Sequence, residues 1–231
     1  MHPMIQAHPA PTTRTRMTNK RIHPPKNCPD CPRLVALRKQ LRREHPDWHN
    51  APVRSFTAPN ARLLIVGLAP GKSGANRTGR PFTGDFAGGI LYKMLDEFGF
   101  SYGTYAENPN DGLRLCDCVI TNAVACVPPL NKPTGAEIST CRPWLEKQLR
   151  TMKQLRAILA LGRIAHESVV KLFSMPLRCA PFRHAAVHQL QDDILLFDSY
   201  HCSRYNIQTK RLNDDMLREV FSAVRQHLQT V

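Results

Sequence analysis

The strongest constraint on the fold of this chain is the alternation of four short apolar runs with stretches of helical periodicity. A run without interleaved polar residues is typical of a strand that is buried on both faces of a sheet. Strands separated by helices favour parallel pairing, with the helices covering both faces. The sequence therefore predicts an α/β fold, a three-layer α/β/α sandwich with a mostly parallel, four-stranded central sheet. The predicted strands lie in the segments ARLLIVGLAP (61–70), CDCVITNAVAC (116–126), RAILALG (156–162) and DILLFDSY (193–200).

The rest of the sequence indicates a leader followed by one domain. Residues 1–26 are rich in Pro, Thr, His and Arg and show no periodicity, so we expect a flexible basic leader. Residues 27–231 are expected to form a single domain. No apolar run reaches the roughly 18 residues that a membrane helix needs, and the leader lacks the apolar segment of a secretory signal. We therefore expect a cytoplasmic protein, with organelle import as the alternative because transit peptides are also basic.

Two further helices carry local signals of their own. An amphipathic helix is expected from Cys31 and should end before Pro46. The segment 134–155 contains Thr134 and Glu137 at the spacing of a capping box. Pro143 is expected to split or kink that helix, because proline cannot donate a backbone hydrogen bond.

The charge of the chain favours a polyanionic partner. Lys and Arg number 32 against 18 Asp and Glu, which gives a formal net charge of +14. Residues 1–45 hold ten of these basic residues and two of the acidic ones, so the remainder of the chain is basic as well. This balance is typical of nucleic-acid binding, whereas a basic surface that is only solvated is the alternative.

The glycine-rich segment after the first predicted strand is similar to a phosphate-binding loop but lacks its spacing. That motif has four residues between its glycines, whereas Gly67 and Gly71 enclose three. Pro70 also removes a backbone N–H that the loop would use to bind phosphate. An NTPase is therefore not expected.

Four of the eight cysteines have the arrangement of a metal site. Two form a CxxC pair just before the first helix, and two lie on either side of the loop after the second predicted strand. Four thiolates from two distant segments suit a tetrahedral zinc ion or an iron–sulfur cluster, and their spacing leaves both open. The other four cysteines are expected to be small buried residues. The candidate ligands are Cys28, Cys31, Cys126 and Cys141.

Four motifs resemble those of the iron–sulfur uracil-DNA glycosylases, and most closely those of family 5 (type B). They also follow one another in the same order as in that family. They cover the chain from about Asn27 to Val231. Family 4 typically has an acidic residue where this chain has Leu68, and a His-Pro-Ser motif where this chain has Cys202 in the middle position. Both differences favour family 5. The motifs are CPDCPRLVALR, GLAPGKSGANRTGRPFTGD, TNAVACVPPLNKPTGAEISTCRPWLEKQL and SYHCSRYNIQTKRL.

The resemblance implies a monofunctional DNA glycosylase that removes uracil, or other deaminated bases, and leaves an abasic site for base excision repair. It also implies a [4Fe–4S] cluster with a structural role on the four candidate cysteines, with zinc as the alternative. We further expect a monomer that binds DNA and no membrane, associated with a bacterial nucleoid. The alternative is a non-catalytic nucleic-acid-binding module with a structural metal site.

Two residues are expected to bind the extruded base. In parallel sheets the ligand lies at the carboxyl ends of the strands, so the loops 69–86, 122–134 and 199–211 are expected to line the site. Asn122 offers an amide donor and acceptor that complement uracil O4 and N3–H, although an asparagine there is also compatible with a turn. Phe82 resembles the stacking aromatic of the family, with a core aromatic as the alternative.

The chemical step is expected to depend on a histidine and a carboxylate. His201 follows the fourth predicted strand and is expected to donate a hydrogen bond to uracil O2, which favours departure of the base as an anion. Asp85 matches the family 5 position for activating water, and capping of the next helix is its alternative role. Gly71 and Asn76 are expected to contact the base. The expected contacts to DNA are Arg77, Arg80, Arg204, Lys210 and Arg211.

Overall fold

The computed structural model describes residues 21–191 and 193–230, which form helices around a central sheet. Most of the predicted basic leader, residues 1–20, lies outside the described residues. The strands are β1 Phe56–Thr57, β2 Leu63–Gly67, β3 Ser101–Tyr102, β4 Arg114–Leu115, β5 Cys118–Asn122, β6 Ala157–Leu161, β7 Val187–Gln191 and β8 Ile194–Ser199. The α-helices are α1 Pro32–Glu44, α2 Ala75–Thr78, α3 Phe86–Glu97, α4 Gly135–Thr151, α5 Arg163–Leu172, α6 Arg204–Gln208 and α7 Asp214–Thr230.

The four predicted strands are confirmed as the parallel centre of a six-stranded sheet with the order β1-β5-β2-β6-β8-β7. The two edge strands, β1 and β7, pair antiparallel and were not predicted. β1 has only two residues, and β7 is half exposed, so neither gives an apolar run. In the parallel centre, Gly67 pairs with Asn122 and Leu161 with Ser199. The carboxyl ends of these four strands therefore meet along one edge of the sheet.

Helices cover the sheet in the layered arrangement that the sequence predicts. The central strands β2 and β6 are buried along their whole length, so their apolar runs need helices on both faces. Helix α5 packs on β2 and β6, and α7 packs on β6 and β8, while α3 packs on α7 and α4 on α5. The buried residues of α7 recur with the 3.6-residue period of an amphipathic helix: Leu217, Val220, Phe221, Val224 and Leu228.

Helix α4 is not split at Pro143. It runs from Gly135 to Thr151 and tolerates the proline at the loss of one backbone hydrogen bond. Its predicted capping box is confirmed, since the Thr134 hydroxyl accepts from the backbone N–H of Glu137 at 3.2 Å and the Glu137 carboxylate accepts from the backbone N–H of Thr134 at 2.8 Å. Helix α1 ends at Glu44, before Pro46, as predicted.

All four remaining cysteines were predicted to be buried, and two of them are exposed instead. Cys118 and Cys202 are buried, whereas Cys116 and Cys179 are exposed. Cys116 precedes the buried strand β5 and Cys179 lies in a 3₁₀ turn, so neither side chain has a core position to fill. Within the described residues, none of the helices has both the length and the apolar character needed to cross a bilayer.

Candidate functional site

The carboxyl edge of the parallel strands opens into a cavity of about 420 Å³. The residues that line it come from the glycine-rich segment after β2, from the end of β5 and from the segment after β8. Five of the predicted site residues and one predicted DNA contact meet here: Gly71, Phe82, Asp85, Asn122, His201 and Arg204.

The Phe82 ring and the Asn122 amide pack against the same glycine. A Cβ built on Gly67 would lie 2.5 Å from Asn122 Oδ1 and 2.6 Å from Phe82 Cζ, so only glycine leaves room for both side chains. Phe82 holds a left-handed φ of 50°, which is unfavourable for a bulky residue and is typical of strained functional segments. Its ring is buried in the core cluster and also lines the cavity, so Phe82 is at once a core aromatic and a residue of the cavity wall.

His201 lies two residues beyond the end of β8 and faces the Phe82 ring, with 5.9 Å between the ring centroids. The protein around the half-buried imidazole excludes water, and this burial lowers the pKa of His201 to about 4. The ring is therefore neutral at pH 7. A neutral imidazole has one N–H donor, so His201 can donate a hydrogen bond to an oxygen in the cavity without carrying a charge.

Asp85 caps helix α3 and lines the cavity at the same time. Its Oδ1 accepts a hydrogen bond from the backbone N–H of Gly88 at 2.9 Å, which is N-cap geometry. Its Oδ2 lies against the glycine-rich segment, because a Cβ on Gly74 would come within 2.3 Å of it. Burial raises the pKa of Asp85, and the nearby carboxylate of Glu107 adds to this. Asp85 can therefore cap helix α3 and at the same time act on a group in the cavity.

Two predicted contacts are placed elsewhere by the structure. The side chain of Asn76 is buried, and its Nδ2 donates to Asn50 Oδ1 at 2.9 Å, so it ties the glycine-rich segment to the chain before β1. Arg80 is also buried and forms two hydrogen bonds with Asp111, at 2.8 and 2.7 Å. It also donates to the Thr83 hydroxyl at 2.8 Å. Arg80 is therefore unavailable to a DNA phosphate, and its prediction as a contact was wrong.

The Arg80–Asp111 pair gives a prediction about stability. Both side chains are almost fully inaccessible, and the guanidinium holds the pKa of Asp111 well below its usual range. We expect Asp111→Asn to lower the free energy of unfolding by about 3–5 kcal/mol, because it leaves the Arg80 charge buried without a counter-ion. Urea unfolding measures this. Glu97→Gln is the matched control, since its pair with Arg218 is part-exposed and solvent screens such pairs, so the variant is expected to lose little stability. Equal losses in both variants would contradict the assignment.

The other predicted basic contacts lie at the surface. Arg77, Arg204, Lys210 and Arg211 are exposed. The guanidinium of Arg204 stands over the Phe86 ring at 5.3 Å, and that of Arg211 over the Tyr200 ring at 4.6 Å. Arg211 lines a second cavity of about 350 Å³, which shares His201 with the first. Two further arginines line this second cavity and were not predicted from the sequence, Arg163 and Arg183. Arg163 directly follows the third predicted strand, and this position at a strand end could have identified it as a residue of the site.

The four candidate cysteines come together away from this edge. Cys28 and Cys31 precede α1, Cys126 follows β5, and Cys141 lies in α4, and all four line one small cavity. Burial raises the pKa of Cys126 to about 11 and that of Cys141 to about 12. The backbone N–H of Ala125 donates to the Cys141 sulfur at 3.3 Å. The cluster of thiols therefore connects the first helix to the segment between β5 and α4.

Arg38 supports an anionic occupant for the thiol site. Its side chain is buried in the same cavity, with Nη1 3.7 Å from the Cys126 sulfur and Nη2 donating to the Cys28 carbonyl at 2.7 Å. Its Nε–H is buried and has no hydrogen-bond partner. A buried guanidinium with an unused donor is unfavourable unless a negative group faces it, and a thiolate-bound iron–sulfur cluster is such a group.

The group of His166, His188 and Asp198 was not predicted. His166 Nδ1 and His188 Nε2 contact the two carboxylate oxygens of Asp198 at 2.8 and 3.2 Å, and His166 Nε2 contacts the Ala180 carbonyl at 2.8 Å. These contacts satisfy the buried carboxylate. They also fix the end of β8, and therefore the start of the segment that carries His201.

Comparison with known proteins agrees with the resemblance seen in the motifs. Residues 54–225 match the family described as the uracil DNA glycosylase superfamily. The chain is 46% identical over 199 residues to the type-5 uracil-DNA glycosylase of Thermus thermophilus, covering 84% of this chain and 90% of that protein. It is 38% identical over 198 residues to the type-5 uracil-DNA glycosylase of Pyrobaculum aerophilum, covering 84% and 86%. The similarity to the type-4 uracil-DNA glycosylase of the same archaeon covers only 48% of each chain, at 37% identity.

Proposed function

The chain belongs to the uracil DNA glycosylase superfamily, within its type-5 group, and on this basis we propose that it hydrolyses the N-glycosidic bond of uracil in DNA. The products are free uracil and an abasic site, the first intermediate of base excision repair. The observation that carries the proposal is the single cavity that holds Phe82, Asp85, Asn122 and His201 at the carboxyl edge of the sheet. A glycosylase must extrude the nucleotide from the duplex to reach this bond, and the cavity receives the extruded base.

Three side chains bind and polarise the base. The Phe82 ring stacks on the face of uracil, and the Asn122 amide accepts from N3–H and donates to O4. The neutral His201 ring donates a hydrogen bond to O2, where negative charge develops as the base departs. Because burial lowers the pKa of His201 to about 4, the ring gives this hydrogen bond without a protonation step at neutral pH.

Asp85 acts on the nucleophile. Its carboxylate orients a water molecule towards C1′ and accepts a proton from it as the new C–O bond forms, while the C1′–N1 bonding electrons leave with the base. Before that proton arrives, the carboxylate charge also stabilises the developing oxocarbenium ion. Among the described residues that line the cavity there is no lysine, which supports a monofunctional enzyme without a Schiff-base intermediate.

The substrate strand is held by the exposed arginines and lysine around the cavity. Arg204 lines the cavity itself, and Arg211, Arg163 and Arg183 line the neighbouring one. Contacts to phosphate are sequence-independent and salt-sensitive, as a repair enzyme that searches DNA requires. The protein acts on DNA as a monomer in the cytoplasm of a bacterial cell, at the nucleoid.

Cys28, Cys31, Cys126 and Cys141 would hold a [4Fe–4S] cluster. When bound, the cluster supplies four iron–thiolate bonds that join distant segments, and it takes no part in hydrolysis. The Arg38 guanidinium and the Ala125 N–H face its sulfur ligands. A single zinc ion is the alternative, and the ratio of iron to zinc per chain distinguishes the two.

The proposal is tested with a duplex that carries one labelled uracil opposite guanine, in the presence of a chelator. We expect the wild-type protein to produce strand cleavage only after alkali treatment, and Asn122→Ala and His201→Ala to lose most of this activity. Salt-sensitive binding without base release would instead favour the non-catalytic binding module. An enzyme–DNA adduct trapped by borohydride would contradict monofunctional chemistry.

The pH dependence of excision should report the Asp85 carboxylate. Its raised pKa means that it takes up a proton at a higher pH than an ordinary aspartate, so activity should fall as the pH decreases through that value. His201 takes up a proton only near pH 4, because burial lowers its pKa to about 4, so its protonation adds to the loss at the acidic end. We expect Glu107→Gln to lower the Asp85 pKa and move the decline to lower pH, most clearly at low salt. Glu44→Gln is the control on the distant helix α1. A decline that stays in place in Glu107→Gln would contradict this electrostatic account.

A further inference from the structure

The hydroxyl of Tyr105 binds the backbone on both sides of Thr83. Its Oη donates to the Phe82 carbonyl at 3.2 Å and accepts from the backbone N–H of Gly84 at 3.3 Å. Phe82 carries the ring of the cavity wall, and Gly84 directly precedes Asp85. One hydroxyl therefore bridges the short segment that sets the distance between the Phe82 ring and the Asp85 carboxylate.

The backbone of this segment is unfavourable on its own. Phe82 has φ 50° and Gly84 has φ 80°, so both lie in the left-handed region. A bulky residue in this region persists only where its surroundings hold it. Helix α3 also approaches closely, because a Cβ built on Gly88 would collide with the Phe82 carbonyl and with the Tyr105 hydroxyl. The hydrogen bond from Tyr105 is thus one of the contacts that hold Phe82 in its strained conformation.

Tyr105 is itself held in place. Its ring stacks on the buried Tyr92 ring, with 4.5 Å between the ring centroids. The next residue, Ala106, donates its backbone N–H to the Asp111 carboxylate at 3.0 Å, and the same carboxylate binds Arg80 of the glycine-rich segment. Because the ring and the backbone are both fixed, the hydroxyl can hold the strained segment in one conformation.

The hydroxyl of Tyr105 has no proton to exchange with the substrate at neutral pH. Burial raises the pKa of Tyr105 to about 12, and the nearby Asp85 carboxylate adds to this, so the hydroxyl stays protonated. Tyr105 also does not line the cavity. It can therefore influence the reaction only through the residues that it positions.

We propose that Tyr105 is a positioning residue that holds the Phe82 ring and the Asp85 carboxylate at a fixed distance from each other across the cavity. This inference rests on the proposed function, because the distance matters only if a base stacks on Phe82 while Asp85 acts at C1′. A misplacement of about 1 Å between reacting groups can lower a rate by about 10²-fold. The hydroxyl contributes to the chemical step and not to DNA binding, because the two groups that it binds are backbone groups of the protein.

The test compares Tyr105→Phe with wild type by single-turnover excision of uracil from a duplex. Phenylalanine keeps the ring and its stacking on Tyr92 and removes only the hydroxyl. We expect the chemical rate to fall by about tenfold or more, and the Kd for a duplex with an abasic site to stay within about twofold of wild type. The lost hydrogen bonds should lower the Tm by about 2–4 °C. Tyr102→Phe, at an exposed tyrosine on β3, is the control and should leave all three values unchanged.

Two further measurements separate positioning from stability and from charge. Asp117→Asn loses the pair with Arg62 at the opposite edge of the sheet, so it should lower the Tm and leave the excision rate unchanged. The acidic decline of activity should keep its midpoint in Tyr105→Phe, because the hydroxyl is neutral there, whereas Glu107→Gln should move it. A rate that falls in parallel with the Tm in both destabilised variants, or a midpoint that moves in Tyr105→Phe, would overturn the positioning role.

Hydrogen exchange separates failure of this inference from failure of the proposed function. The Tyr105 hydroxyl protects the Gly84 N–H, so this amide should exchange about fivefold faster or more in Tyr105→Phe, even if no uracil is released. Unchanged exchange, or faster exchange with a wild-type excision rate, would refute the inference while the proposed function stands. Faster exchange with no excision by the wild type would contradict the proposed function, and with it any role of Tyr105 in excision.

Discussion

Replacement of Asp85 by asparagine is expected to lower the rate of uracil excision by about 10²–10⁴-fold, the usual contribution of a general base. DNA affinity and stability should stay close to wild type. The reason is that the Asp85 carboxylate has two functions, which asparagine separates. An asparagine oxygen can still accept from the Gly88 N–H and cap helix α3, but the neutral amide can neither accept a proton from water nor stabilise an oxocarbenium ion.

A second substitution at the same position isolates the cap. Asp85→Ala should lose both functions, so its excision rate should match that of Asp85→Asn while its free energy of unfolding falls by about 1 kcal/mol. Single-turnover excision with saturating enzyme gives the chemical rate, and thermal unfolding gives the stability. An active Asp85→Asn with wild-type rate would assign the carboxylate to capping alone and would move the water-activating role to another group.

The strands that could be predicted from the sequence are those whose residues are apolar throughout. The strands β2, β5, β6 and β8 are buried on both faces, so each leaves an uninterrupted run in the sequence. Edge strand β7, with the sequence VHQLQ, is half exposed and has no such signature. In helix α4 the local sequence was misleading. Pro143 predicts a break or kink, but the helix continues from Gly135 to Thr151 because the surrounding packing stabilises it.

Strand topology alone predicted the site to the level of the strand ends, whereas Phe82 and Asp85 in the loop after β2 were expected from the resemblance to the family. Asn122 ends β5 and His201 follows β8, so parallel topology alone brings them to one edge. The direction of a side chain within a loop depends on partners that are distant in sequence. Arg80 points inward because Asp111 and the rings of Phe56 and Tyr92 surround its guanidinium, and none of these contacts has a local signal.

The thiol site also bears on stability, because it joins segments that are distant in sequence. Cys28 and Cys31 hold the start of α1, whereas Cys126 and Cys141 bracket the 3₁₀ turn Pro129–Asn131. Arg33 of α1 also contacts this region, through the Glu137 carboxylate and the Lys132 carbonyl. A bound cluster therefore adds its binding free energy directly to the stability of this part of the fold.

Cys141→Ala is accordingly expected to abolish the iron–sulfur absorption and to lower the free energy of unfolding by about 3 kcal/mol or more, since three thiolates hold a cluster poorly. In a domain of this size that loss corresponds to a decrease in Tm of roughly 6–12 °C. Iron and acid-labile sulfide per chain, together with thermal unfolding under anaerobic conditions, measure both effects. Cys116→Ala is the matched control, because Cys116 is exposed and outside the thiol site. Full iron content with an unchanged Tm in Cys141→Ala would exclude Cys141 as a ligand, and one zinc per wild-type chain without iron would replace the cluster by the single ion.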